Sequence, residues 1–145
     1  MTRLDKLEKR FQTDDIWAFP DDYHFLYEFV KRGEKTATSS YYTEYAFKDK
    51  AIPKEKGYAI LLNHSDRPTE ALILHYPEVR IYPFKEVAKD VPPAEMMDEK
   101  MWFDIHERDF KTNAEQMGSV FSEDDLTLTK FMEVIEVVRI DEEWL

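Results

Sequence analysis

Cysteine is absent from the 145-residue chain. Its absence excludes disulfides, thiolate zinc sites and cysteine nucleophiles, and it fits a reducing, cytoplasmic setting. Glycine is scarce, with Gly33, Gly57 and Gly118 the three occurrences, so each one counts as punctuation. No Walker-type phosphate loop is present, because the spaced first glycine and a Gly-Lys-Thr are both missing. Long apolar runs are missing too. The longest, such as Ala59 to Leu62 and Ala71 to Leu74, fall far short of the ~18 residues that would span a bilayer. Met1 to Phe11 is charged and lacks an apolar stretch, which reads against a secretory signal. Positive charge is also in short supply: 20 Lys and Arg face 31 Asp and Glu, for a net charge of −11. Duplex-binding proteins draw most of their affinity from phosphate neutralisation, so duplex DNA is not an expected partner.

What is present supports a folded domain. Hydrophobic residues make up 43% and aromatics 14%, too many for a disordered chain despite 35% charged residues. The length suits one domain spanning 1–145, with residues 1–16 as a helical extension. Neither an internal repeat nor a low-complexity segment occurs. The charge is uneven. Residues 31 to 56 hold seven basic side chains against four acidic ones. Two readings of this patch are open: a solvated lysine-rich loop, or a site for a small anionic ligand or a short strand.

The spacing predicts a helix over 3 to 11, with Leu4, Leu7 and Phe11 on one face. A loop holding Trp17, Phe19 and Pro20 follows. A second helix is expected from about 22 to 32, capped by Asp21 or Asp22 and ended by Gly33. Strands are expected at Thr36 to Ser40, Gly57 to Asn63, Glu70 to Tyr76 and Glu78 to Tyr82, the middle two as an antiparallel hairpin. Phe84 to Lys89 reads as a helical turn, and Pro92-Pro93 as a break. Asp98 to Lys111 is the strongest later helix, with Trp102, Ile105, His106 and Phe110 on overlapping faces. Residues 126 to 140 favour strand on their β-branched content, although Lys130, Glu133, Glu136 and Arg139 are spaced at three. The order of elements lacks βαβ alternation. It predicts an α+β fold with a mostly antiparallel, barrel-like sheet of about five or six strands flanked by helices.

The segment Gly33-Glu34-Lys35-Thr36-Ala37-Thr38-Ser39-Ser40 is the leading candidate site. If it is extended, Lys35, Ala37 and Ser39 face one side and Thr36 and Thr38 the other; a bulge beside Gly33 would bring Lys35 to Thr38. A lysine among hydroxyls either binds an anion as a point charge or, once desolvated, acts as the base for a hydroxyl nucleophile. The alternative is a β-edge with a surface lysine. Trp102 and His106 lie four residues apart on one helix face. They either stack on and hydrogen-bond a ring-shaped ligand or pack into the core. His24, His64, His75 and His106 lack metal-site spacing, so neither a metal nor a cofactor is expected. Paired carboxylates such as Asp14-Asp15, Asp124-Asp125 and Glu142-Glu143 read as caps, turns and solvated ends, and Trp144-Leu145 packs on this domain or on a neighbour. Glu95 differs, since it lies between a Pro-Pro pair and Met96-Met97. Burial there would raise its pKa and make it an acid, whereas exposure at a helix start would leave it an ordinary carboxylate.

Taken in order, these pieces resemble the ASCH domain family, which has a PUA-like fold. The matching residues are Trp17-Ala18-Phe19, Leu26 to Val30, Gly33-Glu34-Lys35-Thr36-Ala37-Thr38-Ser39, Pro53 with Gly57, Pro83 to Val87, Trp102 with His106 and Phe110, and Phe121-Ser122-Glu123-Asp124. The resemblance covers about residues 17 to 138. It implies a small β-barrel with a cleft beside the Gly-x-Lys-Thr segment. The family has been proposed to bind RNA, and some members look like RNA cleavers. A smaller relative is an amidohydrolase that removes the acyl group from acetylated cytidine. Carried over by motif position, Lys35 accepts a proton and Thr38 attacks. Relatives of similar length often carry Glu-Gly-Glu before the tryptophan helix where this chain has Pro93-Ala94-Glu95-Met96-Met97, which makes Glu95 the nearest proton donor. Gly33, Thr36, Ser39, Trp102 and His106 are the expected ligand-binding residues. The expected partner is a small nucleoside-like ligand or single-stranded RNA, without a membrane.

Overall fold

The computed structural model describes residues 3–11, 13 and 15–140. The side chains of Leu4 and Leu7, and Asp14, Glu142, Glu143, Trp144 and Leu145, lie outside what is described. The order of elements is α1 (Arg3–Phe11), β1 (Asp15–Ala18), α2 (Leu26–Lys31), β2 (Ala37–Tyr41), α3 (Thr43–Phe47), β3 (Tyr58–Leu62), β4 (Glu70–His75), β5 (Val79–Pro83), α4 (Val91–Ala94), α5 (Glu99–Gln116), β6 (Leu126–Phe131) and β7 (Glu133–Arg139). Single 3-10 turns lie at Asp21–Tyr23 and Phe84–Glu86.

The strands form two sheets rather than one closed barrel. One sheet runs β1-β3-β4-β7 and the other β2-β6-β5. The mixed α+β class holds, but the expected five or six strands in a barrel become seven in two sheets among the described residues. The cause is local. Residues 126–140 form two strands separated only by Met132, and β6 and β7 pair in different sheets. All pairs are antiparallel except β1 with β3. The predicted hairpin is β3–β4, with Tyr58 opposite His75.

Both faces of β3 and β4 are covered, which explains their continuous apolar runs. On one face Leu61, Leu72 and Leu74 pack with Phe19, Tyr27 and Val30. On the other, Ile60, Ala71 and Ile73 pack with Ile140 and Phe11. A third cluster joins the smaller sheet to α5 through Tyr41, Phe84, Trp102 and Phe110.

Three differences from the sequence expectations bear on the site. The loop around Trp17 contains the four-residue strand β1. The second helix is a 3-10 turn followed by the short α2. Pro92-Pro93 do not break the chain but start α4, where the first-turn N–H groups have no helical partner to lose.

Candidate functional site

The Gly33 turn sets the geometry. Gly33 has φ +75°. The Gly33 amide donates to the Val30 carbonyl at 3.0 Å and the Glu34 amide to the Phe29 carbonyl at 2.9 Å, which is the double bond of a Schellman cap. The turn delivers Lys35 into the interior. The backbone of Thr36 is then tied on both sides: its amide donates to the Ala94 carbonyl, and its carbonyl accepts from the Met132 amide, each at 2.8 Å. β2 therefore starts pinned to the end of α4, and Lys35 comes within reach of Glu95.

Glu95 gathers the site. It is 4% exposed and Lys35 is 3% exposed. Lys35 Nζ lies 3.3 Å from Glu95 Oε1. Ser39 Oγ donates to Oε2 at 2.7 Å, and Trp102 Nε1 donates to the same oxygen at 2.6 Å. His106 Nε2 lies 3.4 Å from Oε1. Its Nδ1 is 2.8 Å from the Trp102 carbonyl, so Nδ1 carries a proton, because only an N–H can meet a carbonyl. The His106 and Trp102 rings stack at 4.4 Å. Burial pushes the Glu95 carboxyl up. The His106 hydrogen bond, the Lys35 charge and the Ser39 hydroxyl outweigh burial and hold it down, at about 2, so the expectation that burial makes Glu95 an acid is not met. Burial pushes the Lys35 ammonium down, against the pull of Glu95.

The expectation that Lys35 and Ser39 share a side is met, since both reach Glu95. No register shift interrupts β2–β6, so the bulge that would swing Thr38 toward Lys35 does not occur there. Ser39 continues the polar chain to Thr129 Oγ1 at 2.7 Å, and Thr129 to the Tyr82 hydroxyl at 2.5 Å.

These groups open on a cavity of about 820 Å³. Lys35, Thr38, Ser39, Glu95 and His106 all line it. Gly33 and Thr36 are exposed and lie outside it. Trp102 is wholly buried, absent from the lining, and touches Glu95 and His106. Aromatic side chains line it as well, among them Trp17, Phe19, Tyr23 and Tyr45. Five basic and four acidic side chains line the cavity, which leaves it almost neutral within an acidic body.

The sequence reading puts Asp15 in a cap or turn and Tyr76 and Lys130 in strands, and none of the three at the site. Lys130 is 5% exposed. Its Nζ lies 3.7 Å from the centroid of the Trp17 ring and 3.9 Å from Asp15 Oδ2. The Tyr76 hydroxyl donates to Asp15 Oδ2 and accepts from Trp17 Nε1, each at 2.8 Å. The available signal was a lysine two residues from Leu128, on the same strand face by alternation.

The family model of the ASCH domain matches residues 15–136. The chain belongs to the ASCH family. That family is proposed to bind RNA. Two solved structures share the fold of this ASCH domain. One is a protein from Enterococcus faecalis assigned to family DUF984, 26% identical, with a TM-score of 0.77 over 92% of this chain and 86% of that one. The other is an ASCH domain from Lactobacillus crispatus, 21% identical, with a TM-score of 0.69 over 89% and 84%. A search of curated proteins finds no match. Among the described residues, no helix is long and apolar enough to cross a membrane, and no cluster of three His, Asp or Glu side chains offers a metal site.

Proposed function

We propose that the cleft binds a nucleoside-like ligand and hydrolyses an acyl amide on it. The observation that carries this reading is the buried Glu95, bound by Lys35, Ser39, Trp102 and His106 at the edge of an aromatic-walled cavity. A cavity of about 820 Å³ falls in the size range of small-molecule sites. Its aromatic wall suits a planar base, and its near balance of charge suits a neutral one.

In this reading Thr38 supplies the attacking hydroxyl. The family resemblance gives proton acceptance to Lys35 and proton donation to Glu95. A carboxyl held at about 2, however, is ionised at neutral pH and has no proton to give, so in this reading Glu95 is the charge that orients its neighbours. The conformation of Met96 supports Glu95 as the counterpart of the first glutamate in Glu-Gly-Glu. Met96 has φ +63°, the left-handed conformation that glycine adopts without strain. With Glu95 held as a carboxylate, the Lys35 side chain beside it can meet a carbonyl or ring nitrogen of the ligand.

Pairing of the basic patch argues for a small neutral ligand over RNA. Lys31 pairs with Glu70 at 2.8 Å, Arg32 with Glu34 at 3.4 Å and Lys48 with Glu44 at 2.6 Å, and Lys35 is bound to Glu95. The test is turnover of acetylcytidine and related acylated nucleosides, followed as loss of the acyl group. Wild type should turn over at least one of them. Thr38→Val and Lys35→Ala should each lose about 100-fold or more in kcat/KM. Absence of turnover by wild type across the panel would sink the hydrolase reading.

A further inference from the structure

Two buried lysines line the cleft: Lys35, two residues before β2, reaches one face of the three-stranded sheet, and Lys130, within β6, stands on the other. Lys35 and Ser39 reach Glu95 on the face covered by α4 and α5. Thr38 precedes Ser39 in β2 and so stands on the other face, because side chains alternate along a strand. Its register partner across β2–β6 is Lys130. Directly opposed residues hold their Cβ atoms about 5 Å apart, well within the reach of a lysine side chain. Among the described residues, no hydrogen bond joins the Thr38 hydroxyl to another side chain.

Several elements surround the Lys130 ammonium. Asp15 and Trp17 come from β1, Tyr76 follows β4, and Lys50 approaches from the segment after α3. Among the described residues Asp15 is the one carboxylate beside it, and that carboxylate already accepts the Tyr76 hydroxyl. At 3.9 Å the Asp15 contact is too long for a hydrogen bond. Lys130 therefore rests on aromatic faces, whereas Lys35 is tied to Glu95.

Resting on the reading of Thr38 as nucleophile, we propose that Lys130, rather than Lys35, accepts the Thr38 proton. Neutral Lys130 takes the hydroxyl proton as Thr38 Oγ1 bonds to the acyl carbon. The C–N bond then breaks, and the leaving amine takes the proton from the Lys130 ammonium. Water attacks the acyl-threonine, giving its proton to Lys130. Lys130 returns that proton to Thr38 Oγ1 as the C–O bond breaks and the acid departs. Burial pushes the Lys130 ammonium down to about 8, with Lys50 adding to the effect and Asp15 opposing it. A neutral fraction is thus available near physiological pH.

The experiment uses p-nitrophenyl acetate, an activated ester that needs no nucleoside recognition. Peptide mapping by mass spectrometry follows acetylation of Thr38 from pH 6 to 10. The wild-type rate should rise through a midpoint near 8. Lys130→Arg keeps a cation that cannot release its proton in this range, and Lys130→Met removes the charge. Each should lower Thr38 acetylation about 100-fold or more, with circular dichroism reporting the fold. If Lys130→Met unfolds, Lys130→Arg and the wild-type profile decide. Wild-type rate and profile in Lys130→Arg would overturn the proposal, as would a wild type that leaves Thr38 unlabelled. Acetylation that follows Lys130 without turnover of acylated nucleosides would keep the Lys130 assignment and remove the hydrolase reading. Nucleoside turnover that survives Lys130→Arg would do the reverse.

Discussion

Glu95 is the residue on which the buried charges converge, and its removal tests them. Glu95→Gln keeps the shape but leaves the Lys35 ammonium, 3% exposed, without an opposite charge. Breaking a buried pair from one side costs about 3–5 kcal/mol, so the urea midpoint should fall by that equivalent. A change below about 1 kcal/mol would mean the pair is solvated. The pH dependence has a fixed sign. The folded carboxyl is held at about 2, below its ordinary 4.5, so the unfolded chain binds more protons between those values. The stability it contributes is complete above about 4.5 and is lost as pH falls through 2. Urea titrations from pH 6 to pH 2.5 should show this loss in wild type and a shallower one in Glu95→Gln. The lysine, the hydroxyls and the glutamate were all legible in the sequence. Their grouping was not, because Lys35 and Glu95 are 60 residues apart. Alternation alone did put Lys35 with Ser39 and set Thr38 apart. It could not name Lys130 as the partner of Thr38, since that requires the β2–β6 register.

At the scale of elements, two helix ends hold Glu95 and its partners in place. Asp98 caps α5, with its carboxylate accepting the Met101 amide at 2.8 Å. Asp98→Ala should cost about 1 kcal/mol, read as a fall in thermal midpoint; an unchanged midpoint would mean the cap is idle. At the end of α4, Met96 is left-handed and 44% exposed. The Met97 amide donates to the Pro92 carbonyl at 2.9 Å, which turns the chain so that Glu95 points inward. Met96→Gly removes the Cβ penalty of that conformation and gives up little burial. It should raise stability by up to about 1 kcal/mol after the entropy of glycine in the unfolded chain is counted. A destabilised variant would show that the methionine side chain matters more than its backbone angle. The legible elements were those with a long pattern of their own, such as α5 and the β3–β4 hairpin. β1 has four residues and pairs in parallel with a strand more than 40 residues away, so no local period marks it. The division at Met132 was hidden for a similar reason. Both halves of 126–140 favour strand, and only tertiary pairing sends them to different sheets.

At the scale of the whole molecule, the distribution of charge selects among ligands. A net charge of −11 repels a polyanion at long range. The local basic excess between 31 and 56 does not reverse this, because Lys31, Arg32, Lys35 and Lys48 each sit against a carboxylate. Only the structure could show that pairing; composition gives the number of charges but not their neighbours. The cavity itself is nearly balanced, so a neutral nucleoside meets little field on entry. Turnover of acetylcytidine should therefore change less than about twofold in kcat/KM between 50 and 500 mM salt. A ligand held through several phosphates would behave differently, with single-stranded affinity falling along a log–log slope of roughly −0.7 per phosphate contacted. Fluorescence anisotropy with a labelled oligonucleotide provides the comparison in the same buffers. Weak binding at 150 mM salt beside salt-insensitive turnover is the expected pair of results. Tight oligonucleotide binding with a steep salt slope would instead mean that Lys50 and its neighbours present an electrostatic surface that outweighs the acidic body, and the cleft would then be one pocket of an RNA-binding face.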